Sequence, residues 1–332
     1  MTSAKAYWID EAGRGEIRAE PFTVPSGNNL ALKTLFTGIS PGTERLVGLG
    51  RVPTPLRDTM RCAHMAGSFD FPVKYGYSLV GQDQQGQRRF VMHPHQDHIC
   101  VNSERTIVLP ATLPPERAIL FPAMETALNG IWDADTFTPE QAVVVGGGLI
   151  GVLIAFQLTQ RTGKPTGLIE ASAERRQFLE QLPWLKPLAP EDAGNNCPGS
   201  THAQTLFHCS SSAAGLQWAI DNSAFEASII ELSWYGTQKI TLDLGGHFHQ
   251  QRKRLISSQV SEVAAPKRST ESRESRAREV LSLLDDQTLD QLLYPRIQFN
   301  DLPDFMAALY RQQQNVLAPV VEYGPADSEE LL

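Results

Sequence analysis

The sequence predicts an α/β protein in which a β-rich first third leads into a doubly wound parallel sheet. Three observations carry this. Ala142-Val143-Val144-Val145 runs into glycines at the G-x-G-x-x-G spacing, Gly146, Gly148 and Gly151, and an apolar helical pattern resumes at once in Val152 to Phe156. From there to about residue 260, strand-like and helix-like runs alternate, the pattern of a parallel sheet covered by helices. Residues 1 to about 115 hold many short β-like runs broken by Gly and Pro. At 332 residues the chain has length for about two domains, each with its own core.

Taken in order, Asn29 to Phe36 and Arg88 to Met92 are examples of the early strands, and Pro110, Pro114 and Pro115 close that region. Glu116 to Trp132 then has helical spacing through Ala118, Leu120, Met124, Ala127, Leu128 and Ile131. The glycine stretch reads as strand, tight turn and helix. Gly146 would make the turn, Gly148 would let backbone N–H groups approach a pyrophosphate, and Gly151 would let the helix pack close to the strand. Leu149 and Ile150 open that helix, whose positive end would face the phosphates. A purely structural strand-to-helix turn explains the same glycines. The next strand, Thr166-Gly167-Leu168-Ile169, ends at Glu170, about 19 residues after Gly151, where a ribose-binding acid is expected. Glu170 would accept from both ribose hydroxyls and repel a 2′-phosphate, which favours NAD(H). Arg175 and Arg176 could reach a phosphate and keep NADP(H) open, or form a solvated helix face. Thr205 to Cys209, Ala213 to Ile220, Ala227 to Leu232 and Leu255 to Ser258 continue the alternation. Pro266 to Glu279, rich in Arg, Ser and Glu, reads as an exposed linker or helix start, and an amphipathic helix resumes through Val280, Leu284 and Leu289.

Composition excludes other classes. A formal charge of -8 argues against a general nucleic-acid binder, and Arg252-Lys253-Arg254 is expected to be a solvated turn. Cys62, Cys100, Cys197 and Cys209 lie far apart with no C-x-x-C pair, so neither a disulfide framework nor a cysteine-rich zinc lobe is expected. The N-terminus lacks the apolar core of a signal peptide, and no apolar run reaches the ~20 residues of a membrane span. A cytoplasmic protein is expected.

The β-rich start, the central nucleotide motif and the C-terminal segment together resemble the medium-chain dehydrogenase/reductase superfamily, the zinc alcohol dehydrogenase relatives. Gly38-Ile39-Ser40-Pro41-Gly42-Thr43-Glu44, Pro72 to Tyr77, His93 to Gln96, Met124 to Ala127 and Ser233 to Gly236 are similar to the branch that includes bacteriochlorophyllide a dehydrogenase. The resemblance implies a GroES-like β-barrel domain over 1–122, a Rossmann domain over 123–261, and a linker with C-terminal return over 262–332. It also implies a homodimer paired through edge strands and hydride transfer between NAD (or NADP) and an alcohol or carbonyl, a small-molecule substrate of some bulk. The zinc ligands of the superfamily are missing: Ser40-Pro41 precede Gly42-Thr43-Glu44, Gly76-Tyr77-Ser78 replaces Gly-His-Glu, and Pro122-Ala123 precede Thr126. None is a good zinc ligand, so no zinc is expected.

Without a metal, hydrogen-bonding side chains must serve the substrate oxygen. Tyr77, at the replaced ligand position, is the first candidate for proton donor or oxyanion stabiliser. Thr43 is the second, and Glu44 could orient either, with Lys74 or Arg61 expected as its partner. His95 is a candidate polar group near the substrate; a metal site at His93, His95 and His98 is the alternative for that cluster. Thr126 is expected against the nicotinamide, with Tyr235 and Ser257 after late strands whose ends form the ligand crevice. Cys209 is expected to be a small buried filler. The alternatives in function are an NADPH-dependent quinone or enone reductase, and a catalytically inactive nucleotide-binding partner protein.

Overall fold

In the computed structural model, which describes residues 3–22, 25–193, 203–311 and 315–324, the early chain is built of antiparallel strands. Cys197 lies outside these residues. β1 (Ser3–Glu11) alternates exposed Ser3 and Lys5 with buried Ala4, Ala6 and Ile9, the period of a half-buried strand. It pairs with β2 (Arg14–Pro21), and a small sheet forms with β4 (Ala66–Gly67) and β5 (Val73–Lys74) in the order β2-β1-β5-β4. β3 (Asn29–Gly38), β6 (Leu79–Gln82), β7 (Arg88–Val91), β8 (His98–Asn102) and β9 (Thr106–Val108) form a second sheet around Leu32, Leu79, Val91, Ile99 and Val101. A short helix, α1 (Pro41–Gly48), follows β3. Glu116 to Trp132 divides into a 3₁₀ turn at Arg117–Leu120 and α2 (Phe121–Asp133).

The central chain alternates, with β12 and α6 added to the elements the sequence indicated: β10 (Ala142–Val145), α3 (Leu149–Thr162), β11 (Thr166–Ile169), α4 (Ala173–Leu179), β12 (Leu185–Leu188), β13 (Thr205–His208), α5 (Ala213–Asp221), β14 (Ser228–Glu231), α6 (His247–Gln250) and β15 (Arg254–Ser257). All neighbouring strands are parallel, in the order β12-β11-β10-β13-β14-β15. That is the doubly wound order, with its reversal between β10 and β13, beyond whose carboxyl ends ligands bind in such sheets. Every residue of β10, β11 and β13 is buried, and their character is mainly apolar, with Thr166, Thr205 and His208 as buried polar members. Edge strand β15 is mostly exposed.

Two compact units result, Met1–Pro122 with Leu284–Leu332, and Ala123–Leu283. In the first, β16 (Arg296–Gln298) and β17 (Val320–Glu322) return after α7 (Arg273–Leu283), and β17 pairs antiparallel with β3, completing a seven-stranded sheet; α8 (Leu302–Arg311) lies between them in sequence. Residues 262–283, expected to belong to the linker and return, fold with the second unit. Arg276 explains why: it is buried, donates Nε–H to Glu125 at 3.1 Å and Nη1–H to Asn129 Oδ1 at 2.6 Å, and binds the carbonyls of Glu262 and Val260. The basic run at 252–254 is likewise not a plain solvated turn. Lys253 is 5% exposed, and its Nζ donates to the carbonyls of Ile220 and Ser223, at and just beyond the end of α5. Among the described residues no helix is long and apolar enough to cross a membrane.

Candidate active site

In the second unit, packing dictates two of the three motif glycines. Gly146 has φ +112°, and a Cβ there would stand 2.6 Å from the backbone nitrogen of Ser210. A Cβ on Gly151 would stand 2.0 Å from the carbonyl oxygen of Gly146. Gly148 is different. It sits before Leu149 and Ile150 as the N-cap of α3, with φ -77° and ψ 174°, and a Cβ would meet nothing within 4 Å. The fold therefore leaves space where the first N–H groups of α3 emerge.

Glu170 follows β11 and curls back over the glycines. Its Oε2 accepts from the Gly147 N–H at 2.9 Å and its Oε1 from the Ser172 N–H at 2.7 Å, so the carboxylate is held at the turn. Arg175 donates to the Gly147 carbonyl at 3.4 Å, while Arg176 binds the Glu170 and Ala171 carbonyls at 2.7 and 2.8 Å. Thr126 lies in α2. Ser257 ends β15 and lines a cavity of about 850 Å³ with Asp133, Thr205 and Arg254, which includes none of the motif glycines. The Tyr235 hydroxyl is taken by Glu231 Oε2 at 3.2 Å; burial, and then the charge of Glu231, push its pKa up.

In the first unit, Tyr77, Thr43, Glu44 and His95 come together. Gly76 has φ +144°, and a Cβ there would stand 3.1 Å from Cα of Pro94, so this glycine lets the Tyr77 and His95 segments approach. Tyr77 hydrogen-bonds with the Ser40 and Thr43 side chains; burial nevertheless carries its phenol well above the usual range. Glu44, one residue on in α1, binds the Ser40 N–H through Oε1 at 2.8 Å and His95 Nε2 through Oε2 at 3.0 Å. Glu44 and His95 are 2% and 1% exposed, so each is the other's required partner. His95 Nδ1 meets Thr37 Oγ1 at 2.6 Å, and that hydroxyl lies 3.2 Å from the hydroxyl of Tyr323. In a neutral His95 whose Nε2 proton faces Glu44, Nδ1 is the acceptor from Thr37.

The expected partners of Glu44 are engaged elsewhere or exposed. Lys74 binds Glu20 Oε2 at 2.6 Å and Gln96 Oε1 at 3.0 Å, its cation near the Trp8 ring, while Arg61 is exposed. Burial decides this: a wholly enclosed carboxylate pairs with the imidazole that shares its pocket. Thr37 and Tyr323 carried no sequence signal, because one is an ordinary strand residue and the other arrives from 286 residues further along the chain. The metal alternative does not assemble. His93 binds the Pro94 carbonyl at 2.9 Å and stacks on His64 at 4.9 Å, and burial lowers its pKa to about 3. His98 stands edge-on to Phe22. Among the described residues, no three of His, Cys, Asp and Glu are gathered to hold an ion.

No family model matches the chain, and no curated protein matches it by sequence. Solved structures match over nearly all of it. A short chain alcohol dehydrogenase from E. coli CFT073 complexed with NADH superposes with TM-score 0.73 at 13% identity, covering 97% of this chain and 100% of that one. The 2R,3R-butanediol dehydrogenase from Bacillus subtilis gives TM-score 0.73 at 18% identity over 96% and 99%. S. aureus TarJ in complex with NADPH gives TM-score 0.69 at 13% identity over 98% and 100%. At such identities these likenesses establish the fold: a GroES-like unit with a Rossmann unit, as in the alcohol dehydrogenases.

Proposed function

We propose that the protein is an NAD(P)-dependent oxidoreductase that moves hydride between nicotinamide and an alcohol or carbonyl compound, with protein hydroxyls rather than zinc serving the substrate oxygen. Gly148 is the observation that carries this. Its backbone angles suit any residue and its surroundings would admit a side chain, so packing has no need of glycine there, whereas a pyrophosphate lying on the α3 N-terminus does. The nucleotide, when bound, supplies the hydride chemistry. Gly148, Leu149 and Ile150 would hold its phosphates, Glu170 its adenosine ribose, and Thr126 and Ser257 remain positional candidates for the rest.

In the first unit, the raised Tyr77 phenol stays protonated across the neutral range, which suits it to donate a hydrogen bond to a carbonyl oxygen rather than to act as a base. Thr43 orients that phenol, and the Glu44 and His95 pair holds an exchangeable proton beside them. Arg175 beside Gly147 favours a second reading, NADPH-dependent reduction of a quinone or enone; NADPH binding far tighter than NADH marks it. Nucleotide binding with no turnover on secondary alcohols or aldehydes marks the inactive-partner reading. A cytoplasmic homodimer completes the proposal.

Gly148→Val tests it. Thermal stability should match the parent, because the added side chain meets open space, while fluorescence titration should show NADH affinity lost. Unchanged affinity in the folded variant removes the nucleotide reading.

A further inference from the structure

At the carboxyl end of β13 the second unit carries a constellation to which the nucleotide reading assigns no role. After β13 the chain turns through Cys209-Ser210-Ser211-Ser212 into α5, with Ser211 in the left-handed region at φ +52° and its N–H held by Ser233 Oγ at 3.0 Å. This strand-to-helix turn sets Ser210 Oγ 2.6 Å from His208 Nε2. The other imidazole nitrogen, Nδ1, lies 2.7 Å from Glu231 Oε2. His208 has no exposed surface, so both nitrogens depend on protein partners, and Ser233 Oγ also lies 3.2 Å from Nδ1. Glu231 is fixed in turn, its Oε1 accepting from the Ser233 N–H at 2.7 Å and its Oε2 from the Tyr235 hydroxyl at 3.2 Å. With Glu231 holding the proton on Nδ1, Nε2 presents a lone pair to the serine hydroxyl. That is the order nucleophile, base, orienting carboxylate, which is identified by geometry rather than by sequence position.

The helix is shaped around the serine. A Cβ on Gly215, in the first turn of α5, would stand 2.3 Å from Ser210 Oγ and 3.1 Å from His208 Nε2, so glycine there leaves the oxygen its room. Ser210 Oγ also reaches Ser212 Oγ, at a longer 3.3 Å; Ser212 in turn caps the helix by accepting from the Gly215 N–H at 2.9 Å. With the Gly215 N–H taken by Ser212, the Ala213 and Ala214 N–H groups of the first turn are the ones outside the helical ladder, donors of the kind that stabilise an oxyanion.

We propose that Ser210 is an activated nucleophile, with His208 as its base and Glu231 positioning that base, and that it accepts acyl groups from activated carboxylic esters. The hydroxyl proton passes to His208 Nε2 as Oγ bonds to the carbonyl carbon. The ester C–O bond then breaks, and the leaving alkoxide takes the proton from His208. Water attacks the acyl-serine, gives one proton to His208, and the acyl–Oγ bond breaks with return of that proton to Oγ. No oxidant or reductant enters.

The test uses the whole 332-residue chain without nucleotide, so failure of the nucleotide reading leaves it standing. With p-nitrophenyl acetate, stopped-flow should show a phenolate burst equal to the chain concentration, and a fluorophosphonate should label Ser210 by peptide mass spectrometry. Ser210→Ala should abolish both. His208→Gln should slow acylation by about 100-fold or more, and Glu231→Gln, which keeps the shape of the carboxylate, by about 10-fold or more. Circular dichroism reports whether each variant is folded; if His208→Gln does not fold, Ser210→Ala and Glu231→Gln decide. Absence of burst and label in the folded parent, or equal rates in folded Ser210→Ala, overturns the proposal.

Discussion

Residue environments decide which groups of the candidate site can change protonation. Tyr77 is kept neutral by burial even though Ser40 and Thr43 favour its ionised form, so its use is as a donor. Tyr77→Phe should cut turnover by about 100-fold, the scale of one oxyanion donor, while NADH affinity is unchanged; equal turnover by reduced-nicotinamide absorbance would remove Tyr77 from the mechanism. His93 sets an acid limit on stability. Its ordinary value is 6.5 and burial lowers it to about 3 in the folded chain. Above the first value neither state is protonated there and His93 is silent. As pH falls toward the second, the unfolded chain takes the proton first, so stability declines by up to about 1.4 kcal/mol per pH unit. Urea titrations across that window should show a shallower decline in His93→Phe than in the parent.

At the scale of the element, the strand-turn-helix at β10 and α3 separates what folding needs from what a ligand needs. Gly146→Ala puts a side chain at φ +112° against the Ser210 backbone, so the melting temperature should drop clearly, by the equivalent of about 1–3 kcal/mol or more. Gly148→Ala, at angles alanine adopts freely, should leave stability equal or raise it by about 0.4–1 kcal/mol while weakening NADH binding. Calorimetry of the two variants side by side checks the contrast; equal destabilisation would mean that Gly148 is structural. The same scale explains α7. Its sequence is polar enough to read as a linker, but Arg276 finds Glu125, Asn129 and two carbonyls, and four hydrogen bonds of a buried cation outweigh weak amphipathicity.

At the scale of the whole molecule, the first unit is closed by chain that lies on both sides of the second in sequence. β17 supplies Val320 to Glu322 opposite Phe36 to Gly38, so the seven-stranded sheet needs the C-terminal return. The six-stranded sheet ends at β15, where Leu255 is 41% exposed and one backbone edge is unpaired among the described strands. Pairing of two such edges would make the proposed dimer. Light scattering should give twice the chain mass for the parent and a single chain for Leu255→Lys; a monomeric parent would rule the dimer out.

The sequence by itself determined the class of fold, the central strands other than β12, and the glycine turn with Glu170 beside it. Those features rest on local rules: strand and helix periods, the freedom of glycine at positive φ, and a fixed distance from motif to acid. It also brought Tyr77, Thr43, Glu44 and His95 forward as residue types able to serve a substrate oxygen. Only the tertiary structure decided who partners whom. Glu44 pairs with His95 rather than with Lys74, although opposite charge alone favours the lysine, because pairing among buried groups follows which of them are enclosed together. That enclosure depends on contacts between distant strands. The His208, Ser210 and Glu231 array is hidden for the same reason: its members belong to two strand ends 23 residues apart that parallel pairing sets side by side.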